Sequence, residues 1–182
     1  MSASRALPLT VSLEDYLGNP AEYEHSEWVD GRVEPLNVGS KKHGRIQSMA
    51  SKYFVDYFLA NRIGYVSTEL HCKLTIGGQT RYRLPDLAVV VGDEELDALY
   101  LHRAPDLAIE VRLPEDSLTE LLKKAGEYLA NGSQLVWIVI PEEESVWAVA
   151  PSAALQTYTK DERLDAGDAL PGFCLPVANL FQ

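Results

Sequence analysis

Two apolar runs of the chain each carry a carboxylate close to a predicted strand end, and this feature constrains the fold more than any other. The first run, Leu84–Val91, contains Asp86, and the second, Pro105–Val111, contains Glu110. An ionised carboxylate inside an apolar run is costly unless it meets a partner or a metal. If the two runs form neighbouring strands, both carboxylates can meet at one sheet edge and share a divalent cation. The alternative for either acid alone is a partly exposed position at a strand end.

The length and composition predict one globular domain over residues 1–182, with a loose N-terminal arm at about residues 1–10. Hydrophobic residues make up 46% of the chain and charged residues 24%, as in ordinary globular proteins. The net charge of −11 argues against non-specific coating of nucleic acid. It leaves open an enzyme that contacts phosphates through a local basic patch and a metal.

The cysteines and the apolar runs indicate a cytoplasmic protein. Cys72 and Cys174 lie far apart and match no zinc-binding spacing, so we expect two reduced thiols. The start of the chain lacks the pattern of a secretory signal. The longest apolar runs, such as Leu135–Ile140, have the length of strands and predict no membrane span.

Hydrophobic periodicity, caps and turn residues predict an alternation of helices and strands. The predicted helices are a short one at 12–17, a long one capped by Ser40 and ending near Asn61, and one that follows a capping box at Ser117–Glu120. The predicted strands are a hairpin at 27–36 with an Asp30-Gly31 turn, runs at about 65–76, 84–91, 106–111, 134–140 and 145–150, and an extended tail. Strands with helices on both sides predict an α/β (α+β) fold, an α/β/α sandwich with a central mixed β-sheet.

Asp86 and Glu110 have the chemistry of a magnesium or manganese site. Mg²⁺ and Mn²⁺ prefer oxygen ligands, usually one or two carboxylates completed by water and substrate phosphate. Such an ion can generate hydroxide and neutralise charge on phosphorus, so the pair points to metal-dependent phosphodiester chemistry. Glu27, on the predicted hairpin, is a further candidate metal ligand.

Lys124, on the third predicted helix, is the candidate catalytic lysine. The predicted core face of this helix consists of Leu118, Leu121, Leu122, Ala125 and Leu129. At about 100° per residue, this face centres near Ala125. Lys123 then lies nearly opposite that face, while Lys124 lies on its flank and can extend toward the sheet edge. There it could orient water or stabilise the transition state. The alternative is a surface lysine paired with Glu120 or Tyr128.

Basic residues open the long helix at Lys41-Lys42-His43. Cations at a helix N-terminus oppose the helix dipole, but they are understandable if that end binds phosphate. Lys42 and His43 are therefore candidate phosphate contacts, and His43 could also be a metal ligand or a proton shuttle. A solvated charged loop is the alternative.

Several short motifs occur in a fixed order along the chain. They are Glu27-x-x-Asp30-Gly31, His43, Pro85-Asp86, Ile109-Glu110-Val111, Lys124-x-x-x-Tyr128-x-x-x-Gly132, Val136–Val139 and Pro171-Gly172-Phe173. This collinear set, from about Glu27 to the C-terminus, resembles the Uma-two-type family of restriction endonucleases, bacterial proteins especially abundant in cyanobacteria.

The resemblance implies a restriction-endonuclease-like core of the PD-(D/E)xK superfamily. In that core Asp86 and Glu110 would bind the metal, and the lysine has moved from the strand to the next helix, at Lys124. The chain departs from the pattern at Arg112, which occupies the position where the superfamily has lysine. Arg112 can contact phosphate but is unfit as a general base.

The resulting expectation is a Mg²⁺- or Mn²⁺-dependent nuclease that acts on nucleic acid, most simply DNA. Cleavage of a duplex needs two active sites, so we expect a homodimer. Two other interpretations stay open at this point. One is a catalytically reduced nuclease-fold protein that binds nucleic acid or a protein, and the other is a purely structural domain.

Overall fold

The computed structural model describes residues 9–92, 97–151 and 153–182 of the chain. Most of the predicted N-terminal arm, residues 1–8, lies outside them. The helices are α1 (Leu13–Gly18), α2 (Pro20–Tyr23), α3 (Lys41–Asn61) and α4 (Leu118–Ala130). The strands are β1 (Leu9–Thr10), β2 (Ser26–Val29), β3 (Arg32–Pro35), β4 (Gly64–Thr68), β5 (Cys72–Ile76), β6 (Gln79–Arg83), β7 (Leu87–Val91), β8 (Leu107–Val111), β9 (Leu135–Ile140), β10 (Ser145–Val149), β11 (Gln156–Thr159), β12 (Arg163–Ala166) and β13 (Leu170–Pro176). Short 3₁₀ helices cover Gly167–Ala169 and Val177–Leu180.

The central sheet has six strands in the order β11-β10-β9-β8-β7-β4. Strands β8 and β9 are parallel, while the other neighbouring pairs are antiparallel. Successive side chains of a strand point to opposite faces. In β8 and β9, Ile109 and Trp137 pack with α3, while Ala108 and Val136 pack with α4. Helices therefore cover both faces, and the predicted α/β/α sandwich with a mixed sheet is confirmed.

A second sheet of five strands, in the order β1-β3-β2-β6-β5, lies beside α4. The predicted hairpin is confirmed as β2 and β3, and its turn places Asp30 and Gly31 at positive φ, the geometry that favours a tight two-residue turn. Leu74 of β5 packs against the apolar side of α4. We call this five-stranded sheet the small sheet.

Two predicted strands differ from the structure. The run predicted at 65–76 is two strands, because the chain breaks at Glu69, which has a φ of 50°, and β4 and β5 then enter different sheets. The run predicted at 84–91 begins as a strand only at Leu87. Asp86 therefore lies just before β7 instead of inside it.

The predicted helices are found, but details of α4 differ. Helix α3 begins after Ser40, whose hydroxyl accepts the His43 N–H. Helix α4 begins after Ser117, which makes no side-chain capping bond, so the predicted capping box is not formed. Leu122, expected in the core, is 37% exposed, whereas the charged Glu127 is buried.

The C-terminal segment closes the core beside α3. Strands β12 and β13 form a hairpin, and strands β11 and β12 were not predicted because their residues are mostly polar. Phe173 stacks on Phe54 of α3 with ring centroids 4.4 Å apart, and Trp137 lies beside both rings. No helix of the described residues is long and apolar enough to cross a membrane.

Candidate active site

The antiparallel pairing of β7 with β8 brings the two predicted acids together. Leu87 lies opposite Ile109 in the register, so continuing the register by one residue places Asp86 opposite Glu110. The N–H of Val111 donates to Asp86 Oδ2 at 2.6 Å. The first acid is thereby fixed to the strand that carries the second.

Asp86 is held by the N-terminal half of α3. His43 Nε2 lies 3.0 Å from Asp86 Oδ1, and Gln47 Nε2 donates to the same oxygen at 3.1 Å. Burial acts to lower the pKa of His43, but the hydrogen bond and charge of Asp86 outweigh it and raise that pKa. The predicted candidate His43 therefore contacts one of the proposed metal ligands, and Gln47, one turn later, was not predicted.

Glu110 is buried on the face of β8 that meets α4. Tyr128 donates its hydroxyl to Glu110 Oε1 at 2.9 Å, and Lys124 Nζ lies 2.9 Å from Oε1 and 3.0 Å from Oε2. Burial raises the pKa of Glu110 to about 7, and repulsion from Asp86 and Glu27 adds to that effect against the attraction of Lys124. The positive charge of Lys124 therefore does not fully compensate burial and the neighbouring negative charges at Glu110.

Lys124 reaches this pocket from the flank of α4, as its predicted helical position requires. Its side chain is 13% exposed, whereas Lys123 is 55% exposed and pairs with Glu120 at 3.6 Å. Burial acts to lower the pKa of Lys124, but Glu110 and Glu27 raise it well above its usual value. The amine is therefore a firmly held ammonium ion, and its catalytic role stays a prediction.

Glu27 approaches from β2 of the small sheet. Its Oε1 lies 2.9 Å from Lys124 Nζ and accepts the N–H of Leu84 at 3.1 Å, while Oε2 lies 2.6 Å from Arg83 Nη1. Burial acts to raise the pKa of Glu27, but Lys124 and Arg83 overcome it and lower the pKa to about 2. Arg83 was not predicted, although it lies only three residues before Asp86.

The structure places the two other candidate phosphate contacts elsewhere. Arg112 Nη1 lies 3.4 Å from Glu142, and its Nε donates to the carbonyl of Asp116 at 3.3 Å. Lys42 Nζ donates to the carbonyl of Pro141 at 2.7 Å. Neither side chain is among the described residues that line the cleft containing Asp86 and Glu110.

That cleft has a volume of about 1160 Å³ and opens between the small sheet, α3 and α4. Its described lining contains Asp86, Glu110, Glu27, Lys124 and His43 together. It also contains further acidic residues, among them Glu24, Glu34, Glu69, Glu115, Asp116 and Glu120. The cleft is large enough for a small ligand, and its lining is strongly acidic.

The donor set fits a hard divalent cation. Within the parts of the chain that the structure describes, no group of three or more His, Cys, Asp or Glu residues forms a metal cluster. Asp86 and Glu110 instead offer a pair of carboxylates, which is the protein contribution typical of Mg²⁺ sites completed by water and phosphate. A cation beside them would offset the repulsion that raises the pKa of Glu110.

Comparison with known proteins agrees with this architecture. The chain matches the sequence model of the Uma2 family, described as "Putative restriction endonuclease", over residues 13–178. A crystal structure from Anabaena variabilis ATCC 29413, described as a "putative nuclease belonging to DUF820", matches the fold with a TM-score of 0.81 and 25% sequence identity. The match covers 94% of this chain and 97% of that chain. No curated protein gives a significant match.

The fold and the match to the family model define a protein of the restriction-endonuclease-like class. Because the family match spans most of its length, the chain belongs to the Uma2 family. The resemblance of the ordered motifs to this family is therefore confirmed.

Proposed function

We propose that the protein is a Mg²⁺- or Mn²⁺-dependent nuclease that hydrolyses phosphodiester bonds in DNA. The observation that carries the proposal is the convergence of Asp86 and Glu110 in one cleft, with Lys124 Nζ 2.9 Å from Glu110. The descriptions of the family and of the Anabaena variabilis protein as nucleases support it. Restriction-endonuclease-like families generally use a divalent metal.

Each of the three residues has a separate role in this proposal. Asp86 and Glu110 hold the metal, which when bound supplies activated hydroxide and neutralises charge on the phosphate. Lys124 donates hydrogen bonds from a fixed ammonium to the attacking water or to a phosphoryl oxygen, and so stabilises the charge that develops. His43 and Gln47 keep Asp86 in place through its Oδ1.

Calorimetric titration of Mn²⁺ and Mg²⁺ tests the metal site. Wild type should bind the ion, while Asp86→Asn and Glu110→Gln should each lose binding, because each removes one of two charged ligands. Single- and double-stranded DNA and RNA are then assayed for cleavage with the same proteins. Metal binding that survives both substitutions would remove this pair from the proposal.

Lys124→Ala tests the lysine, with Lys123→Ala as the matched control. The two lysines are adjacent, but only Lys124 contacts Glu110. We expect Lys124→Ala to fold and to lose cleavage by at least about 100-fold, and Lys123→Ala to cleave as wild type. Equal turnover by both variants would exclude Lys124 from the mechanism.

One observation favours a second candidate, a catalytically reduced protein that binds nucleic acid or a protein partner. The cleft lining is acidic, and Arg112 and Lys42 contact other groups of the protein. Binding of DNA or a partner without metal binding and without cleavage would favour this candidate over the nuclease.

Arg112, Lys42 and His43 are proposed to contact phosphate, which requires Arg112 and Lys42 to leave their present partners. We also propose a cytoplasmic bacterial homodimer that cuts both strands of a duplex. Light scattering coupled to size-exclusion chromatography measures the subunit number, and a monomer active on duplex DNA would contradict the dimer.

A further inference from the structure

Seven charged side chains of alternating sign connect the surface of the small sheet to the candidate active site. We call this series the charge chain. Its members in spatial order are Asp30, Arg81, Glu127, Arg83, Glu27, Lys124 and Glu110.

Every neighbouring pair in the charge chain is in direct contact. Arg81 binds Asp30 at 2.8 Å and also pairs with Glu127. Arg83 then uses two different nitrogens, since Nε lies 2.8 Å from Glu127 Oε2 and Nη1 lies 2.6 Å from Glu27 Oε2. Only a guanidinium provides this forked geometry, so Arg83 fixes the separation of the two glutamates.

The charge chain crosses between three separate elements. Glu27 and Arg83 belong to the small sheet, Glu127 and Lys124 belong to α4, and Glu110 belongs to the central sheet. The side chains of Glu27 and Arg83 are 4% and 5% exposed. Buried ions of this kind are tolerated only with close partners, so their positions are fixed by one another.

We propose that Glu27, itself held by Arg83, is a positioning residue that fixes the ammonium of Lys124 over Glu110. This proposal rests on the proposed function and assigns Glu27 a role different from that of a metal ligand. Each of its oxygens pairs with a different cationic side chain, Oε1 with Lys124 and Oε2 with Arg83, whereas Glu110 pairs with Lys124 and the neutral hydroxyl of Tyr128.

The lysine needs such a holder because its side chain is long and flexible. A four-carbon stem has many rotamers, and ordering it costs entropy. Glu110 alone would hold Lys124 from one side, whereas Glu27 and Glu110 together hold Nζ between two carboxylates at 2.9 Å each. Small errors in the placement of a catalytic group have large effects on rate.

Glu27→Gln tests the proposal, because it keeps the shape of the side chain and removes the charge. The control is Asp56→Asn, which removes an exposed acid on α3 that pairs with Lys52 at 2.6 Å and is not among the described residues that line the cleft. We expect Glu27→Gln to lower kcat by about 10- to 100-fold, with KM and calorimetric Mn²⁺ affinity within about twofold of wild type. Asp56→Asn should leave all three unchanged. Loss of Mn²⁺ binding in Glu27→Gln as complete as in Glu110→Gln would overturn the proposal, since Glu27 would then be a ligand.

A second readout does not depend on nuclease activity. Amine acetylation followed by mass spectrometry measures how strongly Lys124 is held, with Lys123 as the internal reference. In Glu27→Gln the ratio of Lys124 to Lys123 labelling should rise at least about threefold, because one of two ion pairs is lost. If wild type cleaves nothing but this ratio rises, the proposed function fails and the positioning role stands. An unchanged ratio overturns the positioning role.

If Glu27→Gln does not fold, Arg83→Lys, which keeps the charge but loses the fork, replaces it with the same expected results.

Discussion

At the scale of single residues, the environment of Asp86 depends on a glycine that contacts neither acid. A Cβ atom added to Gly39 would lie 2.6 Å from His43 Nδ1, closer than real side chains approach. The absence of a side chain at Gly39 therefore leaves the space in which the imidazole lies against Asp86. A nearby glycine, Gly44 in α3, provides a comparison, because a Cβ atom added there would meet no other atom within 4 Å.

Alanine at these two glycines should have opposite effects. Gly39→Ala should displace the His43 ring and cost about 1–3 kcal/mol of stability, as overpacking does. Gly44→Ala should stabilise the protein by about 0.5–1 kcal/mol, because alanine is favoured over glycine inside a helix. Urea denaturation measures both changes. A stabilising Gly39→Ala would show that the imidazole can move at no cost.

The residues of the site differ in how far the sequence alone could locate them. Asp86 and Glu110 could be predicted because each interrupts an apolar run, and Lys124 because its angle on an amphipathic helix is fixed by its neighbours. Arg83 and Gln47 could not, because an arginine in a polar strand and a glutamine in a helix are ordinary at the surface. Their importance depends on contacts between elements distant in sequence.

At the scale of elements, the charge chain joins the small sheet to α4 in addition to the apolar contact of Leu74. Glu127 is the member of α4 that receives both Arg81 and Arg83. A helix that carries a buried glutamate on its core side departs from the simple amphipathic pattern. The hydrophobic pattern alone predicts Leu122 in the core, because it cannot anticipate that a charged residue is buried. The structure instead buries Glu127 and Tyr128.

Glu127→Gln should destabilise the packing between these elements. The substitution leaves two guanidinium groups near one another without their shared carboxylate, and breaking a buried ion pair costs about 3–5 kcal/mol. Glu120→Gln, on the exposed side of the same helix, should change stability by less than about 1 kcal/mol. Urea denaturation of both variants measures the difference, and equal midpoints would show that the buried pairs contribute no net stability.

At the scale of the whole molecule, the order of elements and the sandwich could be predicted, but the division into two sheets could not. Hydrophobic alternation locates strands without specifying partners. The break at Glu69, which sends β4 and β5 to different sheets, depends on a left-handed backbone at a residue that gives no turn signal in the sequence.

The buried ion pairs of Glu27 predict a loss of stability in acid. Its pKa is lowered from 4.5 to about 2 in the folded protein, so the ionised form is favoured by folding. The resulting stability is present above pH 4.5 and is lost as the pH falls toward 2, in total about 3 kcal/mol. Urea denaturation between about pH 5 and about pH 3 should show a shallower pH dependence for Glu27→Gln than for wild type. Parallel curves for the two proteins would contradict this assignment.

Glu27, Glu110 and Lys124 come from three different elements, and this also bears on how the chain is synthesised. The hairpin that carries Glu27 leaves the ribosome long before β8 and α4, which carry Glu110 and Lys124. While α4 is still inside the ribosome, Lys124 cannot reach Asp86 and Glu110. Under the proposed function, the nascent polypeptide becomes competent only after α4 has been translated, and shorter products lack the lysine of the site.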